Sequence, residues 1–131
     1  MLKAGLLFDL QTALARTAAV QNESTLALLE RLRTQVDSYT VTGRVPTQMN
    51  PLKQRFLSDN PLLEAGDQLL YVARSEQVWV TGAVAGDCAL PFVPANAPTA
   101  YLDQCARHAA ADVDYVYLIQ PDGQVQRLGA A

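Results

Sequence analysis

The sequence predicts an α+β fold in which a helical N-terminal segment is followed by a small strand-rich domain. Three observations predict it. Apolar residues recur at three- and four-residue steps before residue 40, short β-branched and aromatic runs follow residue 67, and the turn sequence Gln120-Pro121-Asp122-Gly123-Gln124 joins the last two runs. Half of the 131 residues are apolar, which is enough to build a hydrophobic core. We expect a helical segment at 1–41, a turn-rich connector at 42–66 and the strand domain at 67–131.

Two amphipathic helices are predicted in the N-terminal segment. The first has an apolar stripe from Leu6 to Ala18, and the second has one from Leu26 to Tyr39 with charged residues on its other faces. Asn22 or Ser24 offers the N-cap of the second helix. The two helices form either a hairpin or one long kinked rod, and we expect them to pack on another part of the protein.

The connector contains Pro46, Pro51 and Pro61, which favour turns over regular structure. Four strands and one helix are expected after it, because short strand-forming runs are bounded by Gly, Pro, Asp or Asn. The strands are predicted at Gln68–Ala73, Gln77–Val84, Val113–Gln120 and Gln124–Leu128, and the helix at Pro98–Ala110. This ββαββ order indicates a β-grasp domain, in which the helix lies across one small curled sheet.

The charge distribution argues against a nucleic-acid-binding protein. The net charge is −3, whereas proteins that bind phosphate backbones have surfaces rich in Lys and Arg. The charge is unevenly placed, with a net +3 on residues 1–58 and a net −6 on residues 59–131. No apolar run approaches the roughly 20 residues that span a bilayer. The first residues also lack the pattern of a signal peptide, because Asp9 interrupts the apolar stretch.

One stretch of the chain is basic without any acidic residue. Residues 38–58 contain Arg44, Lys53 and Arg55, so an anionic ligand would meet unopposed positive charge there. These three residues are a candidate binding site. The preferred alternative is a solvated loop that happens to be basic.

Catalysis, a metal site and a cofactor are not expected. His108 is the single histidine, so the possible arrangements are a Cys105-His108-Asp112 set or a zinc site that adds Cys88. No glycine-rich turn presents Cys105, and the two paired spacings of structural zinc sites are missing. The glycine-rich phosphate-binding motifs are also missing. We expect His108 to lie at a helix end and to transfer no proton.

Recognition remains as the candidate role. Alternation along the second and third strands places Trp79, Tyr115 and Tyr117 on the face opposite the predicted helix. We expect the three rings to share one sheet face and to be mostly covered, either by the N-terminal helices or by a neighbouring domain. The alternative is a surface on which sugar rings stack.

The order of several motifs identifies a family resemblance. The motifs are Asn60-Pro61-Leu62-Leu63, Gly66-Asp67, Val78-Trp79-Val80-Thr81-Gly82-Ala83-Val84, Tyr101-Leu102, Ala111-Asp112 and Ile119-Gln120-Pro121-Asp122-Gly123. In this order they resemble the capsule-biosynthesis GfcC-like family, which is similar to the soluble-ligand-binding β-grasp (SLBB) domains of polysaccharide export channels. The resemblance runs from about Thr42 to Gly129.

The resemblance implies a non-enzymatic accessory protein of capsule or exopolysaccharide assembly or export in the periplasm of a Gram-negative bacterium. Its partners would be other capsule export and assembly proteins or the polysaccharide. It also implies that this chain is a fragment or a short relative of a longer protein. The rival readings are a direct polysaccharide-binding module and an enzyme that acts on the glycan.

An oxidising periplasm favours a disulfide between the two cysteines. Cys88 is predicted in the loop after the second strand, and Cys105 in the middle of a helix that lies over the sheet. The two Cα atoms can then approach the roughly 5.5–6 Å that a disulfide needs. Two independent buried thiols are the alternative.

Overall fold

The computed structural model describes residues 1–55 and 61–130, so Asn60 of the first motif lies outside the described residues. The mixed α+β class is confirmed, with a helical N-terminal part followed by short antiparallel strands. The division into domains at 42 and 67 stays a prediction. The elements are α1 (Leu2–Ala19), α2 (Glu23–Ser38), α3 (Pro51–Gln54), β1 (Gln77–Val80), β2 (Cys88–Pro91), α4 (Thr99–Leu102), β3 (Tyr115–Ile119) and β4 (Val125–Gly129).

The first two helices form an antiparallel hairpin rather than one kinked rod. The Asn22 side chain accepts a hydrogen bond from the backbone N–H of Thr25 at 3.1 Å, so Asn22 is the N-cap of α2. At the other end, the Lys3 ammonium of α1 donates to the backbone oxygens of Asp37 (2.7 Å) and Tyr39 (2.8 Å). A cation at these free carbonyls stabilises the C-terminus of α2. Lys3 therefore connects the N-terminal turn of α1 to the C-terminal end of α2.

The four strands form two separate two-stranded sheets in the described part of the chain, not one curled sheet. β1 pairs antiparallel with β2, and β3 pairs antiparallel with β4. The predicted turn between β3 and β4 is confirmed. Gly123 has φ +91°, and the Asp122 carboxylate accepts from the backbone N–H of Gln124 at 2.9 Å.

Two of the predicted strands differ from the structure. Gln68–Ala73 has no strand partner among the described residues and is exposed throughout, so that prediction is wrong. The strand predicted at Gln77–Val84 ends at Val80, because the chain turns at Gly82 with φ +100°. The ββαββ order survives because Cys88–Pro91 forms β2, although a loop was expected around Cys88.

The predicted helix at Pro98–Ala110 is reduced to the single turn of α4. Beyond Leu102 the backbone pairs with the loop after β1. The Ala85 N–H donates to the Ala106 oxygen at 2.8 Å, and the His108 N–H donates to the Ala83 oxygen at 3.0 Å. These bonds require an extended chain where the helix was expected.

The core of the strand-rich part lies between the β1–β2 sheet and α4. Tyr101 of α4 is 4% exposed. Its hydroxyl accepts from the backbone N–H of Val93 at 2.8 Å and donates to the Val93 oxygen at 3.2 Å, so the ring is buried without an unpaired polar atom. The core residues are Val80, Val84, Tyr101 and Cys105, with Val78, Cys88, Leu90 and Leu102 packed around them.

Candidate functional site

Trp79 points outward from β1. Its neighbours Val78 and Val80 face the core, and Val80 is buried. The predicted alternation is therefore confirmed, because successive side chains of a strand point to opposite faces. Trp79 itself is 65% exposed, so the N-terminal helices do not cover this ring, and cover by a neighbouring domain stays a prediction.

Tyr115 and Tyr117 point outward from β3 in the same way. Val116 and Leu118 are half-buried on the inner face, whereas both tyrosines are exposed. The Arg127 guanidinium of β4 lies 4.5 Å from the centroid of the Tyr115 ring, a cation–π contact. The Tyr117 ring is 68% exposed, so the N-terminal helices do not cover it either.

The expected single aromatic face is also wrong in the described part of the chain. Trp79 belongs to the β1–β2 sheet, and the two tyrosines belong to the β3–β4 sheet. The outer face of a two-stranded sheet stays open unless a helix or another domain packs on it. The helical hairpin does not cover Trp79 or Tyr117, which are 65% and 68% exposed, and its Arg31 instead binds the loop after β1. The protein therefore presents two aromatic surfaces, each able to bind an apolar protein surface or to stack on a sugar ring.

The three basic residues of the stretch 38–58 lie in two separate places. The Arg44 guanidinium donates to the Pro121 oxygen at 2.6 Å and packs on the β3–β4 turn beside Gly123. Lys53 lies in α3 and Arg55 directly follows that helix. Arg44 thus has a structural partner, and anion binding by the three residues stays a prediction.

Cys88 and Cys105 form the expected disulfide, with Cα atoms 6.1 Å apart. Their surroundings differ from the expectation, because Cys88 is the first residue of β2 and Cys105 follows α4 by three residues. Cys105 is 2% exposed, the most deeply buried side chain described. With both sulfurs in the bridge, neither is a nucleophile or a zinc ligand in this state. We refer to residues 82–88 and 105–108, which the disulfide and the backbone pairing join, as the bridged loops.

His108 contacts the first turn of α2 across the bridged loops. Its Nδ1 accepts from the backbone N–H of Ala110 at 3.1 Å, and its Nε2 lies 2.7 Å from the Ser24 hydroxyl. A ring nitrogen that accepts from an N–H carries no hydrogen, so the hydrogen of the neutral ring is on Nε2 and is donated to Ser24. In this arrangement Nε2 has no lone pair with which to take the Ser24 proton, as a serine hydrolase would require.

Arg31 of α2 is the residue that sequence reasoning missed. Its Nη2 donates to the oxygens of Gly82 (3.0 Å) and Val84 (2.6 Å), and its Nη1 donates to the oxygen of Ala85 (3.1 Å). Three acceptors suit the planar, fork-shaped guanidinium. Together with the Ser24–His108 bond, Arg31 attaches the helical hairpin to the bridged loops.

Residues 1–55 and 61–130 contain no group of three or more His, Cys, Asp or Glu side chains that could hold a metal ion. The acidic residues around β3 have local roles instead. One carboxylate oxygen of Asp112 accepts from the backbone N–H groups of Asp114 (2.8 Å) and Tyr115 (3.1 Å). This side chain therefore shapes the entry to β3.

The sequence of this chain is similar to a protein family and to a curated protein. The family "Capsule biosynthesis GfcC C-terminal" matches residues 86–131, which include β2, α4, β3 and β4. The uncharacterized protein YjbG of Escherichia coli (strain K12) is 28% identical over 123 residues, which are 93% of this chain and 50% of that protein. The chain thus spans about half the length of this curated relative. The two matches confirm the predicted resemblance to the capsule-biosynthesis GfcC-like family.

Proposed function

We propose that this chain is a non-catalytic recognition component of capsule or exopolysaccharide assembly or export, which acts in the periplasm and binds partner proteins through the outer faces of its two strand pairs. The family match indicates a role related to capsule biosynthesis. The mechanism, the compartment and the partners belong to the proposal.

The exposed aromatic side chains carry the proposal. Trp79 and Tyr117 are 65% and 68% exposed, in strands whose opposite faces pack inward. Open aromatic rings on the outer faces of strands are typical of a surface that binds a partner.

The disulfide supports the periplasmic part of the proposal. The Cys88–Cys105 disulfide is a bond that persists in oxidising compartments and is rare in the cytosol. Among the helices of the described ranges, none has the length and apolar character needed to cross a membrane.

The site chemistry supports a non-catalytic role. The sulfurs of Cys88 and Cys105 are joined, and the hydrogen bond from Ala110 to His108 leaves Nε2 as a donor. Neither arrangement supplies an activated nucleophile with a general base.

Direct binding of polysaccharide is the second candidate. The openness of Trp79 favours it, because a flat ring on a strand can stack on a sugar ring. Both candidates therefore predict that replacing Trp79 impairs function. They differ in whether this side chain binds a protein or a polysaccharide.

The test replaces Trp79 and Tyr117 by alanine, singly and together, in a capsule-producing strain that lacks the native protein. Tyr39→Ala is the matched control, because Tyr39 is a comparably exposed aromatic residue outside the strands, at the end of α2. Surface polysaccharide is measured in cells, and purified capsular polysaccharide is titrated calorimetrically against each protein.

Loss of surface polysaccharide in the strand variants, with no heat of binding in the wild-type titration, supports protein recognition. A heat of binding that Trp79→Ala abolishes supports the polysaccharide candidate instead. Normal surface polysaccharide in the folded double variant contradicts both.

A further inference from the structure

The outer face of the β3–β4 pair combines two aromatic rings with a single cation. Strand alternation and the antiparallel register place five exposed side chains on this face. They are Tyr115, Tyr117, Ile119, Val125 and Arg127. None of these residues is acidic, although residues 59–131 together carry a net charge of −6. The face is therefore basic within an acidic part of the sequence.

Arg127 lies over one of the two rings. Its guanidinium is 4.5 Å from the centroid of the Tyr115 ring. Gly129 lies directly opposite Tyr115 in the register, and an added Cβ there would meet nothing within 4 Å, so β4 leaves room beside this ring. Within residues 1–55 and 61–130, the guanidinium forms neither an ion pair nor a hydrogen bond. A cation–π contact occupies one side of the group, so its N–H groups can still donate to a carboxylate.

Tyr117 is the open ring beside this cation. It is paired directly with Arg127 across the two strands, and its side chain is 68% exposed. Alternate residues of a strand lie about 7 Å apart, so the Tyr117 ring is roughly that far from the ring on which the guanidinium rests. A stacking surface and a cationic donor are thus neighbours on one face.

We propose that Tyr117 and Arg127 form a binding site for an acidic sugar, in which the carboxylate is attached to a pyranose ring as in a hexuronate. The sugar ring stacks on Tyr117, and the guanidinium donates to the carboxylate. This inference rests on the polysaccharide candidate of the proposed function and names the class of sugar unit that it would recognise.

The combination of the two groups favours an acidic sugar over other ligands. In a hexuronate the carboxylate is bonded to the ring itself, so one rigid unit meets both Tyr117 and Arg127. The carboxylate of an acidic peptide ends a flexible side chain without a flat ring, and ordering that side chain costs conformational entropy. A neutral sugar would use the Tyr117 ring and leave the guanidinium without a partner.

The experiment titrates the 131-residue chain with glucuronate, glucose and acetate at equal ionic strength and follows the backbone amides by NMR. We expect glucuronate to shift the amides of Tyr117 and Arg127 and to bind about tenfold more tightly than glucose or acetate. A tetraglutamate peptide is titrated in the same way to represent an acidic protein segment.

Three variants separate the two contacts. Arg127→Gln should reduce glucuronate binding to the level of glucose, and Tyr117→Ala should reduce it to the level of acetate. Arg74→Gln is the matched control, because Arg74 is an exposed arginine that also lies over an aromatic ring, 6.0 Å from the centroid of Phe92. The amide spectrum of each variant shows directly whether the protein is folded.

Glucuronate binding that Arg127→Gln and Tyr117→Ala weaken and Arg74→Gln leaves unchanged supports the proposal. Equal binding of glucose and glucuronate overturns it, and so does the absence of amide shifts at the highest soluble glucuronate concentration. Tetraglutamate binding as tight as that of glucuronate overturns it in favour of an acidic protein segment. None of these outcomes decides whether the chain recognises partner proteins in cells, which the surface-polysaccharide measurements test separately.

Discussion

The attachment of α2 to the strand-rich part of the protein depends on Arg31 more than on any other described side chain. Its guanidinium satisfies three backbone oxygens of the bridged loops at the same time. The Gly82 oxygen also accepts from the Val84 N–H at 2.9 Å, so removing the Arg31 donors chiefly deprives the partly buried Val84 oxygen and the exposed Ala85 oxygen of their hydrogen bonds. Arg31 therefore acts on stability through groups that belong to a different element.

Arg31→Lys tests this role while the charge is kept. A lysine ammonium is a compact donor and cannot span the three oxygens of the bridged loops. We expect a loss of about 1–3 kcal/mol in the free energy of unfolding, measured by urea denaturation. Amide exchange should also become faster at Gly82 to Ala85.

Arg33→Lys provides the control, since Arg33 is an exposed arginine of the same helix. Equal stability and equal exchange in the two variants would contradict the role assigned to Arg31.

His108 contributes to the same attachment, and its chemistry predicts a structural effect only. His108→Ala removes the bonds to Ser24 and to the Ala110 N–H, so we expect about 1 kcal/mol of destabilisation, measured by thermal unfolding. Surface polysaccharide in complemented cells should stay at the wild-type level, because the proposed role is non-catalytic and assigns no proton transfer to the ring.

Ser24→Ala is the matched variant for His108→Ala, since it removes one of the same hydrogen bonds. A folded His108→Ala or Ser24→Ala protein that abolishes surface polysaccharide at unchanged stability would instead indicate a catalytic pair.

At the scale of elements, the disulfide holds β2 to the segment after α4. It closes a loop with a sequence separation of 17, and it positions the strand-like pairing that Arg31 and His108 contact. We therefore expect that breaking the disulfide also loosens the attachment of α2 to the bridged loops.

The double variant Cys88→Ser/Cys105→Ser should lose about 3 kcal/mol of stability in the chain-entropy description of disulfides. Thermal unfolding measures the loss, and faster exchange at the α2 amides would report loosening of the attached hairpin. Dithiothreitol treatment of the wild type is the matched comparison and should give a similar shift.

Protein purified from the periplasm and denatured without reductant should contain no reactive thiol. Two reactive thiols in such material would contradict the Cys88–Cys105 bridge.

The two N-terminal helices were predictable from sequence because their apolar spacing is a local property. Leu7, Leu10 and Leu14 repeat at helical intervals whatever lies beside them. Strands depend on partners that sequence does not show. Gln68–Ala73 has the composition of a strand but no neighbour among the described residues, whereas the short run Cys88–Pro91, which ends in proline, pairs with β1.

At the scale of the whole molecule, the direction in which the aromatic side chains point was predictable, but the sheets to which they belong were not. Two-residue alternation sufficed to point Trp79, Tyr115 and Tyr117 outward. Their distribution over two sheets depends on which strands pair, and their exposure depends on where the helical hairpin attaches. That attachment uses Arg31, whose position on a polar helix face looks like ordinary solvent exposure in the sequence.

The contacts of Arg31 also determine which mutations the link between the two parts of the protein can tolerate. The Arg31 guanidinium hydrogen-bonds to main-chain oxygens, so these bonds do not depend on the side chains of Ala83, Val84 and Ala85. Exchanges at Ala83 and Ala85 that preserve the backbone path leave the acceptors in place. Insertion or deletion of one residue shifts them out of reach. The hydrogen bonds from Arg31 therefore tolerate changes of side chain at Ala83 and Ala85 but not a change in loop length. The number of residues between Gly82 and Cys88 should accordingly vary less than the identity of these two alanines.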